Sequence, residues 1–320
     1  MRVKLALIIL SLALSTMVYR QALLIAPLHN DNINTFLSFE LAEPFFIVES
    51  DYIGRMDLGK HWNPRIFSRY LGGLAVRHCI ENKKVNLIDF SRRVSLWTAL
   101  WFLAVCGLFV ISFKKQALLY ITGTYCAISF GYMPGVVLRI FPWDMPALFF
   151  FSLFICLMHK NRALLFLLVL PVAVLFKESV LCIIIAYFFL FPNKKFLYRA
   201  GIFTLGLLFS LFPKLTADYY TGSFGRPLFN PVLIKSNFLF LSRNIMPYFA
   251  NAGLVLAAVI LPAKKPYGTA LRSIMALFLF SICTNAVIFE YRTFFELIPV
   301  CIYILCNSFL NSYPEPETAA

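Results

Sequence analysis

Val94–Phe113 reads VSLWTALWFLAVCGLFVISF, twenty residues without a charge, with Arg92-Arg93 before it and Lys114-Lys115 after it. A helix needs about 20 consecutive apolar residues to cross the hydrocarbon core of a bilayer. The composition carries the same message. The chain is 60% apolar and 14% charged, and 35 of its 320 residues are Phe. Soluble domains carry about 25% charged residues, and they still show a large surface to water. Lipid removes that constraint.

Nine further apolar runs flank this one: Val3–Ala26, Ala117–Val137, Met145–Met158, Ala163–Phe176, Ser179–Phe191, Ala200–Pro213, Ile245–Leu261, Leu271–Phe289 and Phe294–Leu310. Several are short, and Ala163–Phe191 also reads as one helix with Lys177 and Glu178 in its middle. Charge placement separates the two readings, because Lys and Arg gather in short cytoplasmic loops. With the N-terminus inside and about ten spans, the loops carrying Lys114/Lys115, Lys160/Arg162, Lys194/Lys195/Arg199 and Lys264/Lys265 all fall inside. Fusing Ala163–Phe191 throws Lys194/Lys195 outside. The expected fold is therefore an all-α, polytopic transmembrane bundle with both termini cytoplasmic. Its parts are a first transmembrane helix at 1–26 (a signal anchor), an outer loop at 27–93, a bundle at 94–310 with a second outer loop at 215–244, and a cytoplasmic tail at 311–320.

The net charge of +14 follows from this topology. It is not read as nucleic-acid binding, since no basic stripe, zinc motif or aromatic–basic module accompanies it. Seven of the eight Cys lie in expected spans and only Cys79 lies in a loop. There is no CxxC, and no Cys/His spacing suggests a structural metal. Phosphate loops, dinucleotide fingerprints and hydrolase elbows are absent as motifs.

The polar residues gather on the outer side. In the first loop, Phe36–Phe46 and Ile66–Val76 have apolar residues at helical spacing, which predicts short helices lying along the membrane surface. Three charged steps stand at outer helix ends: Arg139 to Asp144, Lys177-Glu178, and Glu290-Tyr291-Arg292 followed by Glu296. Ionisable groups near hydrocarbon usually face a cavity or a partner. Bland readings stand beside the functional ones. Asp144 reads as a helix cap with Trp143 in the aromatic belt, Lys177-Glu178 as a tight polar turn, and Arg292 with Glu296 as a helix-face ion pair.

An outward polar cavity suits a lipid-linked substrate whose tail stays in the bilayer. Such a site needs cations for a phosphate and a carboxylate to take a proton from an attacking hydroxyl. Lys177, Arg292, Arg139, Arg65 and Arg69 are candidates for the first task. Asp31 is the candidate for the second, with Glu40 and Glu43 as rivals. Asp144, Glu178 and Glu290 are supporting acids, Glu178 as the partner that orients Lys177. No cofactor is firmly implied; oxygen ligands abound, so a divalent metal is compatible, though no spacing marks a metal site.

These elements resemble the GT-C class of membrane glycosyltransferases, in the broad bacterial sense that includes polysaccharide-biosynthesis proteins. The resemblance lies in Asp31 in the first outer loop, Pro64-Arg65-Ile66-Phe67-Ser68-Arg69 later in that loop, Phe141-Pro142-Trp143-Asp144 before a span, Phe176-Lys177-Glu178-Ser179 at a helix end, and Glu290-Tyr291-Arg292-Thr293-Phe294 before the last span. It implies a multi-pass protein of a bacterial inner (plasma) membrane. It also implies inverting transfer of a sugar from a polyprenyl-phosphate donor to an envelope glycan or lipid acceptor on the outer face. A non-catalytic or polymerase-like polysaccharide-assembly protein and a transporter are the other readings. Spans that are apolar through their middles count against transport.

Overall fold

The computed structural model describes residues 2–26, 66–81, 84–131, 140–220, 234–239, 245–263, 267–285 and 291–310. Apart from a two-residue antiparallel pair, Ile80–Glu81 with Lys84–Val85, the described secondary structure is helical. Four helices are long and apolar enough to cross a membrane: Val3–Ile25, Leu87–Phe113, Phe196–Thr216 and Tyr267–Thr284. The shorter apolar helices include Ala117–Phe130, Asp144–His159, Ala163–Phe176, Glu178–Leu190 and Phe294–Leu310. Helix Ile245–Ile260 completes the set. All the apolar runs of the sequence are thus helical where described, but length supports a full crossing for only four of the ten expected spans.

The Asp144–His159 helix is the centre of the bundle. It packs against Leu87–Phe113, Phe166–Phe176, Glu178–Ala186, Tyr291–Leu297 and Ile298–Leu310. Its sequence is apolar on every side, and twelve of its sixteen residues are buried. A helix that is hydrophobic all round belongs inside. Phe196–Tyr220 is its opposite: Leu197, Leu208 and Phe212 on it are exposed.

Two boundaries differ from the sequence expectation. The Leu87–Phe113 helix starts seven residues before the apolar run, so the first loop ends at Asn86 rather than Arg93. Asn86 is the reason. Its Oδ1 accepts from the amides of Ile88 (3.1 Å) and Asp89 (3.3 Å), which satisfies donors that a helix start leaves open. Asp89 also sits in the first turn, where the helix dipole favours an acid. The other boundary is at the second outer loop. Helix Phe196–Tyr220 runs through Leu215, so the loop cannot begin there. Pro213 lies inside that helix and does not end it.

The Lys177 break is real. Phe166–Phe176 ends where Lys177 takes an extended conformation (φ −159°, ψ 129°), and a nine-residue 3-10 helix, Glu178–Ala186, follows. The chain doubles back: the Tyr187 hydroxyl donates to the Ala163 carbonyl at 2.7 Å, which joins the far end of one arm to the start of the other.

Ile66–Val76 is an α-helix over the residues expected. It docks against Leu87–Phe113 and Phe166–Phe176. Ser68 Oγ donates to the Phe176 carbonyl at 2.8 Å, and Arg93 Nη1 donates to the Ala75 carbonyl at 3.4 Å. Its companion Phe36–Phe46 lies outside the described residues.

Candidate functional site

Three of the charged steps meet at one place. The Lys177 ammonium forms ion pairs with Glu296 Oε1 and with Asp144 Oδ1, the latter at 3.5 Å. Asp144 and Glu296 are each 1% exposed, and Lys177 is buried with them. Charges this deep are tolerated only when paired and hydrogen-bonded. The local folding supplies the bonds. Asp144 Oδ2 accepts from the Phe141 amide at 3.2 Å, and the Trp97 indole donates to the Pro142 carbonyl at 3.2 Å. The Phe141–Asp144 turn is pinned from both sides, and one Asp144 oxygen remains turned to Lys177. Ser179 Oγ donates to Glu296 Oε1 at 3.2 Å. Among the described residues, Glu296 Oε2 is buried without a hydrogen-bond partner.

Aromatic rings wall the neighbouring position. Phe176 packs against Phe150 (centroids 5.3 Å), Trp101 (5.6 Å) and Phe67 (6.0 Å). Such walls keep water away, which strengthens electrostatic contacts inside them.

The expected site residues fare differently. Asp144 and Lys177 come together. The carboxylates on Lys177 are Asp144 and Glu296, not its neighbour Glu178. The extended backbone at Lys177 separates its side chain from the 3-10 helix that opens at Glu178. Asp144 is not the helix cap that the sequence suggested: the helix is capped by Trp143 without a side-chain bond, and Asp144 uses one oxygen to accept from the Phe141 amide before the helix and the other to meet a cation. Trp143 does not belong to an interfacial belt, since it is 1% exposed and stacks on Phe141 at 4.9 Å. Arg69 lies on the Ile66–Val76 helix next to Ser68, and Arg292 lies four residues before Glu296 on the 3-10 segment Tyr291–Leu297; their side chains are outside the described set. Asp31, Glu40, Glu43, Arg65, Arg139 and Glu290 lie outside the described residues.

Glu296 and Ser179 were not among the site candidates. The sequence did hold a signal for Glu296, a single carboxylate between Phe294-Phe295 and Leu297-Ile298. An acid in such a run must have a partner, and local spacing points to Arg292, four residues before it. Among the described residues, no three His, Cys, Asp or Glu side chains group closely enough to hold a metal ion.

A second polar group lies elsewhere on the same central helix. His159 Nδ1 is 3.3 Å from the Tyr303 hydroxyl, and Asn307 Nδ2 donates to the Tyr120 hydroxyl at 2.6 Å. Tyr120 stacks on Phe113 at 3.8 Å. These bonds tie helix ends together and leave no charge to explain. Compared with protein-family models, curated proteins and solved structures, the chain matches none.

Proposed function

We propose that this chain is a multi-pass membrane glycosyltransferase of the GT-C kind. In this reading it moves a sugar from a polyprenyl-phosphate donor to an envelope glycan or lipid acceptor on the outer face. The observation that supports it best is the meeting of Asp144, Lys177 and Glu296. Three short sequence elements, far apart in the chain, carry these residues, and all three belong to the resemblance or adjoin it. A buried ionic cluster costs desolvation that packing alone would avoid, so its presence favours a functional centre.

The ten-span topology belongs to this reading, with Lys160/Arg162 and Lys194/Lys195 inside and the cluster toward the outside. Asp31 is the base: its carboxylate takes the proton of the acceptor hydroxyl as that oxygen bonds to the anomeric carbon. The bond from that carbon to the phosphate oxygen breaks, and the polyprenyl phosphate leaves with the electron pair. The phosphate falls to the arginines, Arg65, Arg69, Arg139 and Arg292. Lys177 drops out of that group, because two carboxylates already hold its ammonium. Arg69 and Arg292 stand on the elements that also carry Ser68 and Glu296.

The test is transfer by the purified chain in nanodiscs, supplied with radiolabelled polyprenyl-phosphate hexoses and pentoses and extracted envelope lipids and glycans. Wild-type protein is expected to move label from donor to acceptor. Asp31→Asn is expected to lower turnover by about 10²-fold or more, as for loss of a general base. Full turnover in Asp31→Asn removes that residue from the mechanism. Absence of transfer from every donor in wild-type protein overturns the reading.

A further inference from the structure

We infer that Glu296 recognises a hydroxyl of the sugar carried by the lipid donor, with Lys177 and Ser179 as the positioning residues that present it; this rests on the transfer reading above. The two oxygens of Glu296 are in different situations. Oε1 is occupied by the Lys177 ammonium and the Ser179 hydroxyl. Oε2 is also buried and has no partner among the described residues. An ionised carboxylate accepts only, with about four lone-pair positions. Leaving a buried acceptor unmet is costly, and the few such groups in native proteins call for a specific explanation.

The missing partner must donate a hydrogen bond. A phosphate at neutral pH offers acceptors and negative charge, and would meet Glu296 and Asp144 at close range. A second ammonium would cancel the negative charge that Lys177 leaves on the cluster, but a polyprenyl-phosphate hexose offers none. A sugar hydroxyl donates, is neutral, and brings no new charge into a buried place. The bond it makes is charge-assisted, roughly twice as strong as one between neutral groups. The cluster is thus selective for the sugar and not for the phosphate.

Access follows from the backbone. Ser179 and Glu296 are bonded to each other across two 3-10 segments, Glu178–Ala186 and Tyr291–Leu297. Both exceed the usual 3-10 length of about 3–4 residues. Their hydrogen-bond geometry is poorer than that of an α-helix, so these are the walls that yield when a hydroxyl reaches Oε2.

The experiment compares binding of two lipids to the full chain in nanodiscs: polyprenyl phosphate alone, and polyprenyl-phosphate hexose. E296Q is expected to bind the sugar-bearing lipid about tenfold more weakly than wild type, equivalent to about 1.4 kcal/mol, and the bare lipid equally well. Ser179→Ala, which loosens Glu296 without removing it, is expected to shift the same ligand in the same direction by less. Glu296→Asp keeps the charge but withdraws the carboxylate by one methylene, and it replaces E296Q as the test if E296Q does not fold. Unchanged binding of the sugar-bearing lipid overturns the inference, as does an equal loss for both lipids. If wild type transfers sugar and E296Q binds the donor normally, the inference alone fails. If wild type binds neither lipid, the transfer reading fails with it.

Discussion

Replacing Lys177 by Met removes an ammonium and nearly keeps the volume. Taken as a surface phosphate ligand, Lys177 would be dispensable to the fold. Its surroundings say otherwise. The exchange strands two carboxylates that are each 1% exposed. Asp144 keeps at least the Phe141 amide, and Glu296 keeps, among the described residues, only the Ser179 hydroxyl. Breaking a buried ion pair by deleting one partner costs about 3–5 kcal/mol. For a chain of this size each kcal/mol lowers Tm by about 2 °C, so Lys177→Met is expected to melt about 6–10 °C below wild type. A thiol-reactive fluorophore reads the transition, because Cys106, Cys156 and Cys301 are buried in the fold and become accessible on unfolding. The double variant Lys177→Met/Glu296→Gln removes one stranded charge and is expected to recover part of the loss, a coupling that a thermodynamic cycle isolates. A drop below about 2 °C for the single variant refutes the argument that this ammonium holds the two carboxylates in the fold.

Three further outcomes are expected. Reporter fusions at Lys195 and Asn230 should lie on opposite sides of the membrane; the same side for both would sink the ten-span topology. Gly268→Ala should destabilise by about 1–3 kcal/mol, because its Cβ would stand 2.6 Å from Ala263 Cβ and 2.7 Å from the Ala263 carbonyl oxygen. Gly201→Ala meets nothing within 4 Å and should be neutral or stabilising by up to about 1 kcal/mol; equal melting shifts in the two variants would contradict this. Cys79 is buried, and burial pushes its thiol above the ordinary value. The thiolate is the reactive form, so a maleimide should label Cys79 slowly in the folded protein, faster as pH rises, and fastest after denaturation. Labelling of the folded chain at the denatured rate would show the site to be open.

The helices were legible because their signal is local. Apolar runs and helical spacing can be read within a window of a few turns, and Ile66–Val76 and the break at Lys177 both came through. Asn86 was also readable as a cap, but counting only apolar residues put the helix start at Val94. The site was legible only in part. Asp144 and Lys177 announced themselves as charges at helix ends. The pairing of Lys177 with Glu296 joins residues more than a hundred positions apart, and no local pattern encodes it. Local spacing favoured Arg292 as the partner of Glu296, and tertiary packing brought the lysine to it. The 3-10 character of Glu178–Ala186 was equally hidden, since its composition suits an α-helix and the difference is one of coiling.

The Lys177 hairpin has a further consequence through its length. One arm is the 3-10 turn Ala163–Leu165 followed by Phe166–Phe176, about 22 Å along the axis. The return arm is Glu178–Ala186 followed by Tyr187–Leu190, about 24 Å. The hydrocarbon slab is about 30 Å thick. Under the proposed ten-span topology, which puts its feet at the cytoplasmic boundary, the hairpin would stop roughly 6–8 Å below the outer one. Lipid beside it must thin, or headgroups and water must sink to meet the tip. On the proposed transfer reading, hydrophobic mismatch would then do what a deep cleft would otherwise have to do: it would lower a polar headgroup to the depth of the buried charges while its prenyl tail stays in oil.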